Sequence, residues 1–391
     1  MSPTENYLKR GVSAKKEDVH QAITNLDQGL FSKLFCKVFP DVLGGSDEFV
    51  NLMSSDGSGT KSAIAYLYWM ETGDASVFRG IGQDALVMNL DDMACVGAMD
   101  NFLFTSIINR NKHRIPGEII KEIIDGTKEY IDTLSDKGVH ITYTGGETAD
   151  VGDVVRTVSV DASMVARMKK SDIIQTNSIA PGQIIVGLAS YGNCSYEKRY
   201  NSGMGSNGLT SARHDLLSSH YTQFEETIEK MVDPAVQYTG KNRLTDVVYE
   251  NWNLGQLILS PTMSFTPILK NLFDSVGRNQ IKSIVHCTGG GASKVLHFAE
   301  RVKIVKDNML PTPFLFDYIQ SQSQTSWQEM FQVFNMGTRL EIYIENEAIA
   351  KEIIAISKSF GVDAQIIGYV ESSEKAEVEV KHNLISYHYF A

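Results

Sequence analysis

Cysteine is scarce in this chain: four residues in 391, at Cys36, Cys95, Cys194 and Cys287. They are scattered, with no C-x-x-C pair. That excludes a disulfide framework or a thiolate zinc site as the organising device and fits reduced thiols in a cytosolic setting. Long apolar runs are missing too. None approaches the roughly 20 residues that a membrane helix needs, and Met1–Lys16 is polar, without the apolar core of an export signal. Positive charge is in deficit, with 36 Lys and Arg against 47 Asp and Glu and a formal net charge of −11. No basic footprint is therefore available for nucleic acid or an anionic membrane. A small phosphate site stays open, because a few backbone N–H groups and one lysine suffice for it. Also absent are G-x-S-x-G, H-E-x-x-H and any convincing Ser-His-Asp order.

What is present is an ordinary globular mixture, 42% apolar and 21% charged, in a chain long enough for two cores. Phe49–Met53 reads as a strand entering a turn at Ser54–Gly57. Gly80–Val96 has helical periodicity and a Gly97 stop. Pro116–Lys137 is a second helix, with Gly138 just past its end. Val139–Thr144 is a strand before Gly145-Gly146, and Val154–Met168 a long strand or hairpin arm. The polar stretch Lys169–Gln183 marks a domain junction by composition. Beyond it we expect a strand at Ile184–Ser190 and helices at Leu209–Leu217 and Glu225–Met231. A second αβ unit resumes at Ser260 and contains a helix at Ala348–Phe360, and the last twenty residues form a short strand tail.

The sharpest local feature is Asp56-Gly57-Ser58-Gly59-Thr60-Lys61. Two glycines let the backbone turn tightly and approach a ligand, the exposed N–H groups can cradle phosphate, Lys61 adds a mobile positive charge, and Asp56 can hold Mg²⁺ through oxygen. It is not a Walker A loop, because Thr60 separates Gly59 from Lys61. A bare Gly-rich turn is the plain alternative. Asp84 and Asp91 lie seven residues apart, on one face of their helix, with Asp92 on its flank. Three carboxylates there are either a solvated acidic face or a set joined by a cation. Gly145-Gly146-Glu147-Thr148-Ala149-Asp150 is a ligand turn or a mere β-turn. His286-Cys287-Thr288-Gly289-Gly290-Gly291 precedes a helix expected near Ser293, where an anion nest is plausible. His286 itself reads as a core or capping histidine. Ser206 or Asn207 can cap the helix that follows Gly208.

Each motif is weak alone, but their order is not. Asp56–Lys61, then Asp84 and Asp91-Asp92 ahead of Gly97-Ala98, then Gly145–Ala149, Gly205–Gly208, Ser260-Pro261-Thr262, Thr288–Gly291 and Glu329–Gly337 resemble the aminoimidazole ribonucleotide synthetase (phosphoribosylformylglycinamidine cyclo-ligase) family. The opening Tyr7–Val12 looks like that family's start. The resemblance spans nearly the whole chain, Gly192–Gly255 being the poorest stretch. It implies an α/β (α+β) fold of two αβ domains, here 1–175 for ATP binding and dimerisation and 176–391 for the C-terminal αβ domain. The first domain would build a barrel at a homodimer interface, and the active site would lie in the cleft between domains. It implies ATP-dependent closure of formylglycinamidine ribonucleotide to aminoimidazole ribonucleotide, ADP and phosphate through an iminophosphate, with ATP, Mg²⁺ and room for K⁺. By motif match, the resemblance puts Asp56, Lys61 and Asp92 in catalysis; Gly57, Gly59, Thr60, Lys61, Gly146, Glu147 and Thr148 at ATP; Asp56, Asp84 and Asp92 at the metal, with Asp91 as helper; and Ser206, Asn207, Thr288, Gly289, Gly290, Gly291 and Asn335 at the substrate.

The chain departs from the commoner family pattern at Asp91 (usually Asn), Gly205 (usually His), Met263 (usually Arg), Ala292-Ser293-Lys294 (usually an aromatic and Glu-Asn) and Arg339 (usually Gly). Two rival readings therefore stand beside the cyclo-ligase. One is another ATP-using enzyme of the superfamily, such as a small-molecule kinase. The other is a non-catalytic nucleotide-binding relative.

Overall fold

The computed structural model describes residues 9–11 and 26–391. Most of the Met1–Lys16 segment, and the Tyr7–Val12 motif apart from Lys9–Gly11, lie outside the described residues. The first half alternates strands and helices: β1 (Val38–Pro40), β2 (Phe49–Gly57), α1 (Lys61–Thr72), α2 (Phe78–Ala94), β3 (Phe102–Arg110), α3 (Gly117–Ser135), β4 (Ile141–Asp150) and β5 (Val158–Lys169). Its five strands form one mixed sheet in the order β1-β2-β5-β3-β4. Side chains along β3 alternate as a pleated strand dictates: Phe102, Phe104, Ser106 and Ile108 point into the core, Leu103 and Ile107 away from it.

The second half begins with β6 (Ile184–Ala189), α4 (Leu209–Leu216), a small hairpin of β7 (Val247–Tyr249) and β8 (Trp252–Asn253), α5 (Leu254–Ile258) and α6 (Thr266–Ser275). It continues through β9 (Ser283–His286), β10 (Val302–Lys306), α7 (Phe314–Ser323), α8 (Trp327–Val333), β11 (Thr338–Ile344), α9 (Glu347–Ser359), β12 (Ala364–Ser372), β13 (Glu377–His382) and β14 (Ile385–Phe390). Seven of these strands make a sheet in the order β14-β13-β10-β12-β6-β11-β9. Four described cysteines are free and buried, and among the described residues no helix is long and apolar enough to cross a membrane.

Several expectations fail for identifiable reasons. Ser54–Gly57 is not a turn: β2 runs to Gly57, its end paired with Ala162 and Asp161 of β5. Gly145–Asp150 is not a turn either. β4 continues to Asp150, with a register shift opposite Phe104/Ser106 that Gly145 absorbs at φ +94°. The expected strand after the Lys169–Gln183 junction is β6, and the expected strand tail is a two-stranded edge, β13 with β14. The helix expected at Glu225–Met231 is only the short 3₁₀ turn Glu225–Thr227, because its polar groups are drawn off by the first half. Glu226 receives Tyr66 Oη at 2.7 Å, and Arg156 binds the Ile228 carbonyl. No α-helix follows the triple glycine; Gly291–His297 is 3₁₀.

What positions the site is α2. Nearly all of it is buried, because it packs on β2 and β5, against α3, and against α6 of the second half. A helix enclosed on nearly every side leaves Asp84 and Asp91 out of solvent.

Candidate active site

The acidic face of α2 is clasped by one segment of the second half, Ser260–Thr266. Asp84, fully buried, accepts from the Thr262 backbone N–H at 2.8 Å and the Thr262 hydroxyl at 2.6 Å. The same oxygen, Oδ1, takes the Lys61 ammonium at 3.0 Å. Two turns along, Asp91 accepts from Ser264 Oγ (2.6 Å), the Phe265 N–H (2.9 Å) and Thr266 Oγ1 (2.9 Å). Those groups stand at the start of α6, so Asp91 satisfies donors that a helix N-terminus leaves over. The seven-residue spacing places Asp84 and Asp91 on one face, as read from the sequence. The solvated alternative fails, because both are buried and both are held by donors. Burial nonetheless pushes the Asp91 carboxyl above the usual carboxylate range.

Asp92 completes the set. Its Oδ1 receives His286 Nδ1 at 2.9 Å, and its side chain keeps 27% exposure while the imidazole has none. Burial raises the Asp92 carboxyl to about 7, against the pull of Lys294 and Arg339. Burial, reinforced by Arg339, drops His286 to about 3, so the imidazole is neutral. Arg339 Nε donates to His286 Nε2 at 3.1 Å. Sequence reading passed over His286 as a core histidine and missed Ser264 and Thr266. The recoverable signal for the last two was a pair of hydroxyl residues, two apart, ahead of an apolar helix.

Lys61 is not the mobile charge expected. It opens α1, is fully buried, and divides its ammonium between Asp84 and the Ser260 carbonyl. Burial lowers its pKa while Asp84 holds it up. Asp84 Oδ2, in contrast, is buried with no hydrogen-bond partner among the described residues.

The glycine motifs of the second half converge on the same seam. A Cβ on Gly205 would lie 2.0 Å from Arg339 Nη1, and one on Gly289 would lie 3.5 Å from Asn207 Nδ2. Asn335 is buried, giving Nδ2 to the Gly203 carbonyl at 2.8 Å and accepting Ser190 Oγ at 2.9 Å. It braces the loop from within. Neither Ser206 nor Asn207 caps α4, whose N-cap is the left-handed Gly208. The Ser206 hydroxyl instead is buried without a partner among the described residues. Thr288, Gly289 and Gly290 keep solvent access and Gly291 is buried. Across the seam, Thr60 Oγ1 meets Thr210 Oγ1 at 2.6 Å, and the position of a Gly59 Cβ is open space.

Asp56 and the Gly146–Thr148 motif stand outside this seam. Asp56 is exposed at the end of β2 and accepts the Gly57 N–H at 2.7 Å. Strand register puts it in one row with Ala162, Ser106 and Gly146. Three strand spacings separate Asp56 from Gly146, about 14 Å. The next row carries Gly57, Asp161, Ile107 and Glu147. Glu147 therefore shares the outer sheet face with Ile107. Asp56, Asp84 and Asp92 do not converge, and among the described residues no three His, Cys, Asp or Glu side chains gather to hold a metal ion.

At the far end of the seam lies a cavity of about 190 Å³, lined by both halves, including Arg79, Gln83, Tyr130, Glu197 and Arg199. Glu197 accepts from Tyr130 Oη at 2.9 Å and Gln83 Nε2 at 3.1 Å, tying the second half to α2 and α3.

Comparison with known proteins bears on the family and the fold. Residues 42–168 match the AIR synthase related protein N-terminal domain, and residues 180–381 the corresponding C-terminal domain. Similar proteins named phosphoribosylformylglycinamidine cyclo-ligase come from Methanocaldococcus jannaschii (28% identity; 86% of this chain, 82% of the relative) and Staphylococcus carnosus (28%; 95% and 97%). Among solved structures, a chain of the HypE–HypF complex superposes with a TM-score of 0.56 at 16% identity (97% of this chain, 99% of that one). AaThiL complexed with AMPPCP and TMP superposes at 0.52 and 12% (96% and 95%). Such distant structures share the fold alone. With one domain match covering more than half the chain and the other most of the remainder, the chain belongs to the AIR synthase related protein family.

Proposed function

We propose that this chain is the ATP-dependent cyclo-ligase that converts formylglycinamidine ribonucleotide to aminoimidazole ribonucleotide, ADP and phosphate, working in the cytosol as a homodimer. The observation that carries the reading is the seam. Thr262 holds Asp84 and His286 holds Asp92 on the acidic face of α2, and the Gly205–Gly208, Thr288–Gly291 and Asn335 loops touch one another beside them. Relatives of similar length that carry the cyclo-ligase name support it.

An amide oxygen is a poor leaving group until phosphorylated, and phosphoryl transfer asks a protein chiefly for positioning and charge neutralisation. The residues fit those demands. Mg²⁺ usually binds through one or two carboxylates plus substrate phosphates rather than a full protein cage. The partly exposed Asp92 suits such a site, whereas the unpartnered Asp84 Oδ2 lies buried two turns away on α2 and Asp56 with the Gly57–Thr60 turn stands apart at the end of β2. When bound, the ion neutralises charge developing on the transferred phosphoryl group. Lys61 balances the charge of Asp84 and fixes its direction. Backbone N–H groups of Gly289 and Gly290, and the unpartnered Ser206 hydroxyl, suit the ribose phosphate. K⁺ has no assigned ligand here. Homodimerisation rests on the outer face of the first sheet, where Met53, Leu103 and Ile107 are 61%, 50% and 43% exposed. That is an apolar face of the kind a second copy covers.

The test is product analysis with the purified chain, ATP, Mg²⁺ and formylglycinamidine ribonucleotide. We expect ADP and aminoimidazole ribonucleotide in equal amounts, each dependent on the substrate. ADP release with thiamine monophosphate instead, or nucleotide binding without any turnover, would overturn the proposal in favour of a sister enzyme or an inactive relative.

A further inference from the structure

We infer that Arg339 and His286 are positioning residues for Asp92, and that Gly205 is glycine because the Arg339 guanidinium occupies the space a side chain there would fill.

The backbone aims the arginine. β11 pairs with β6 through Thr338↔Ala189 and then Leu340↔Leu188, so the register slips by one at Arg339. A bulge of this kind re-aims the side chain of the extra residue. Arg339 still gives its carbonyl to the Cys287 N–H at 2.7 Å, so the strand edge is kept and only the side chain is redirected. It turns into the seam, and with Lys61 it puts two buried cations among Asp84, Asp91 and Asp92.

Direction of donation then fixes the chemistry. A guanidinium has donors and no acceptor, so Nε–H to His286 Nε2 requires that nitrogen to carry the lone pair. The ring proton of the neutral imidazole must sit on Nδ1, the atom 2.9 Å from Asp92 Oδ1. Arg339 thus selects the tautomer, and the tautomer holds Asp92. A free imidazole would sample both tautomers, and in the other one the ring would present a lone pair to a carboxylate. The chain from Arg339 to His286 to Asp92 is therefore directional, with Asp92 the member that reaches the cleft.

Gly205 leaves room for this arrangement. Its φ is +65°, and a Cβ there would lie 2.0 Å from Nη1 and 3.0 Å from Cζ of Arg339. Any side chain would push the guanidinium off His286. Gly205 and Arg339 are two of the positions at which the chain leaves its family's pattern. They meet in space, so the residue at either position constrains the other.

The activity arm of the test rests on the cyclo-ligase reading; the spectroscopic arm does not. In ¹⁵N-histidine spectra of the whole enzyme, with His286 assigned by its disappearance in His286→Asn, wild type should show a neutral ring protonated on Nδ1. Arg339→Met and Gly205→Ala should each shift it toward the Nε2–H form. In turnover, each variant should lose about 10- to 100-fold in kcat, with KM for ATP changed less than about twofold. The double variant should be no worse than the worse single one, since both break the same bond. A wild-type ring protonated on Nε2, a tautomer indifferent to Arg339→Met, or losses that multiply in the double variant would each overturn the inference. If the enzyme has no cyclo-ligase turnover at all, the spectra still decide.

Discussion

The open edge of the first sheet and the interdomain seam treat the same kinds of residue in opposite ways. At the rim, Asp56, Gly59 and Glu147 stay open to solvent. In the seam, Lys61, Asp84, Asp91, His286 and Arg339 are buried, and nearly every polar atom has a protein partner. The rim residues are open to a ligand, whereas the seam residues answer to one another. A group facing a neighbour can change when the neighbour changes, as Gly205 and Arg339 illustrate.

The largest effect that can break this comparison is on stability. Asp84→Ala removes the partner of a fully buried ammonium and the acceptor of the Thr262 N–H and hydroxyl. Stranding a buried charge costs about 3–5 kcal/mol. Asp56→Ala, at the exposed strand end, should cost about 1 kcal/mol or less while still lowering turnover. Urea unfolding of the two variants checks both numbers. Equal losses would mean that the edge holds the fold together as firmly as the seam does.

The same contrast explains what the sequence could reveal. Part of the first half was legible, because α2 and α3 carry helical periodicity and β5 a clear apolar pattern, but β1, α1 and the central strand β3 were not read. Placing Asp84 and Asp91 on one face needed only the pitch of a helix. The strand ends at Gly57 and Asp150 were misread as turns. Glycine signals a turn locally, whereas here it serves a register shift and a close approach: a Cβ on Gly146 would lie 1.9 Å from the Ser106 carbonyl. Lys61 looked mobile because nothing local announces that Ser260, some two hundred residues away, will bury it. His286 and Arg339 were invisible as a pair for the same reason, their contact being set by the pairing of β9 with β11.

A smaller effect tests the edge itself. Ile107→Lys puts a charge on the outer face in the row that carries Glu147. If a second copy covers that face, the dimer should weaken about 100-fold or more, roughly 2.7 kcal/mol. Light scattering should then move from twice 43.4 kDa toward 43.4 kDa. Turnover falling in step with the dimer fraction would make the edge a shared site. A monomeric variant with full turnover would leave it facing ligand alone, and a monomeric wild type would remove the dimer.

The smallest effect concerns the far end of the seam, where partnered does not mean ionised. Burial raises the Glu197 carboxyl to about 7, although the Tyr130 and Gln83 hydrogen bonds pull the other way. The folded chain therefore holds a proton that the unfolded chain releases near the usual carboxylate value. Below that value both states are protonated, and this share of stability is fully present. As pH climbs from about 4.5 toward 7 the unfolded state binds fewer protons than the folded one, so the share is lost. Asp92, also raised to about 7, adds a slope of the same sign. Glu197→Gln keeps the shape and cannot titrate, so its melting temperature should fall less between pH 5 and 8, by about 2 °C. An unchanged slope would mean that Glu197 is ionised in the fold. The clasp between the halves would then be a charged one, and the seam less sealed from water than its buried acids imply.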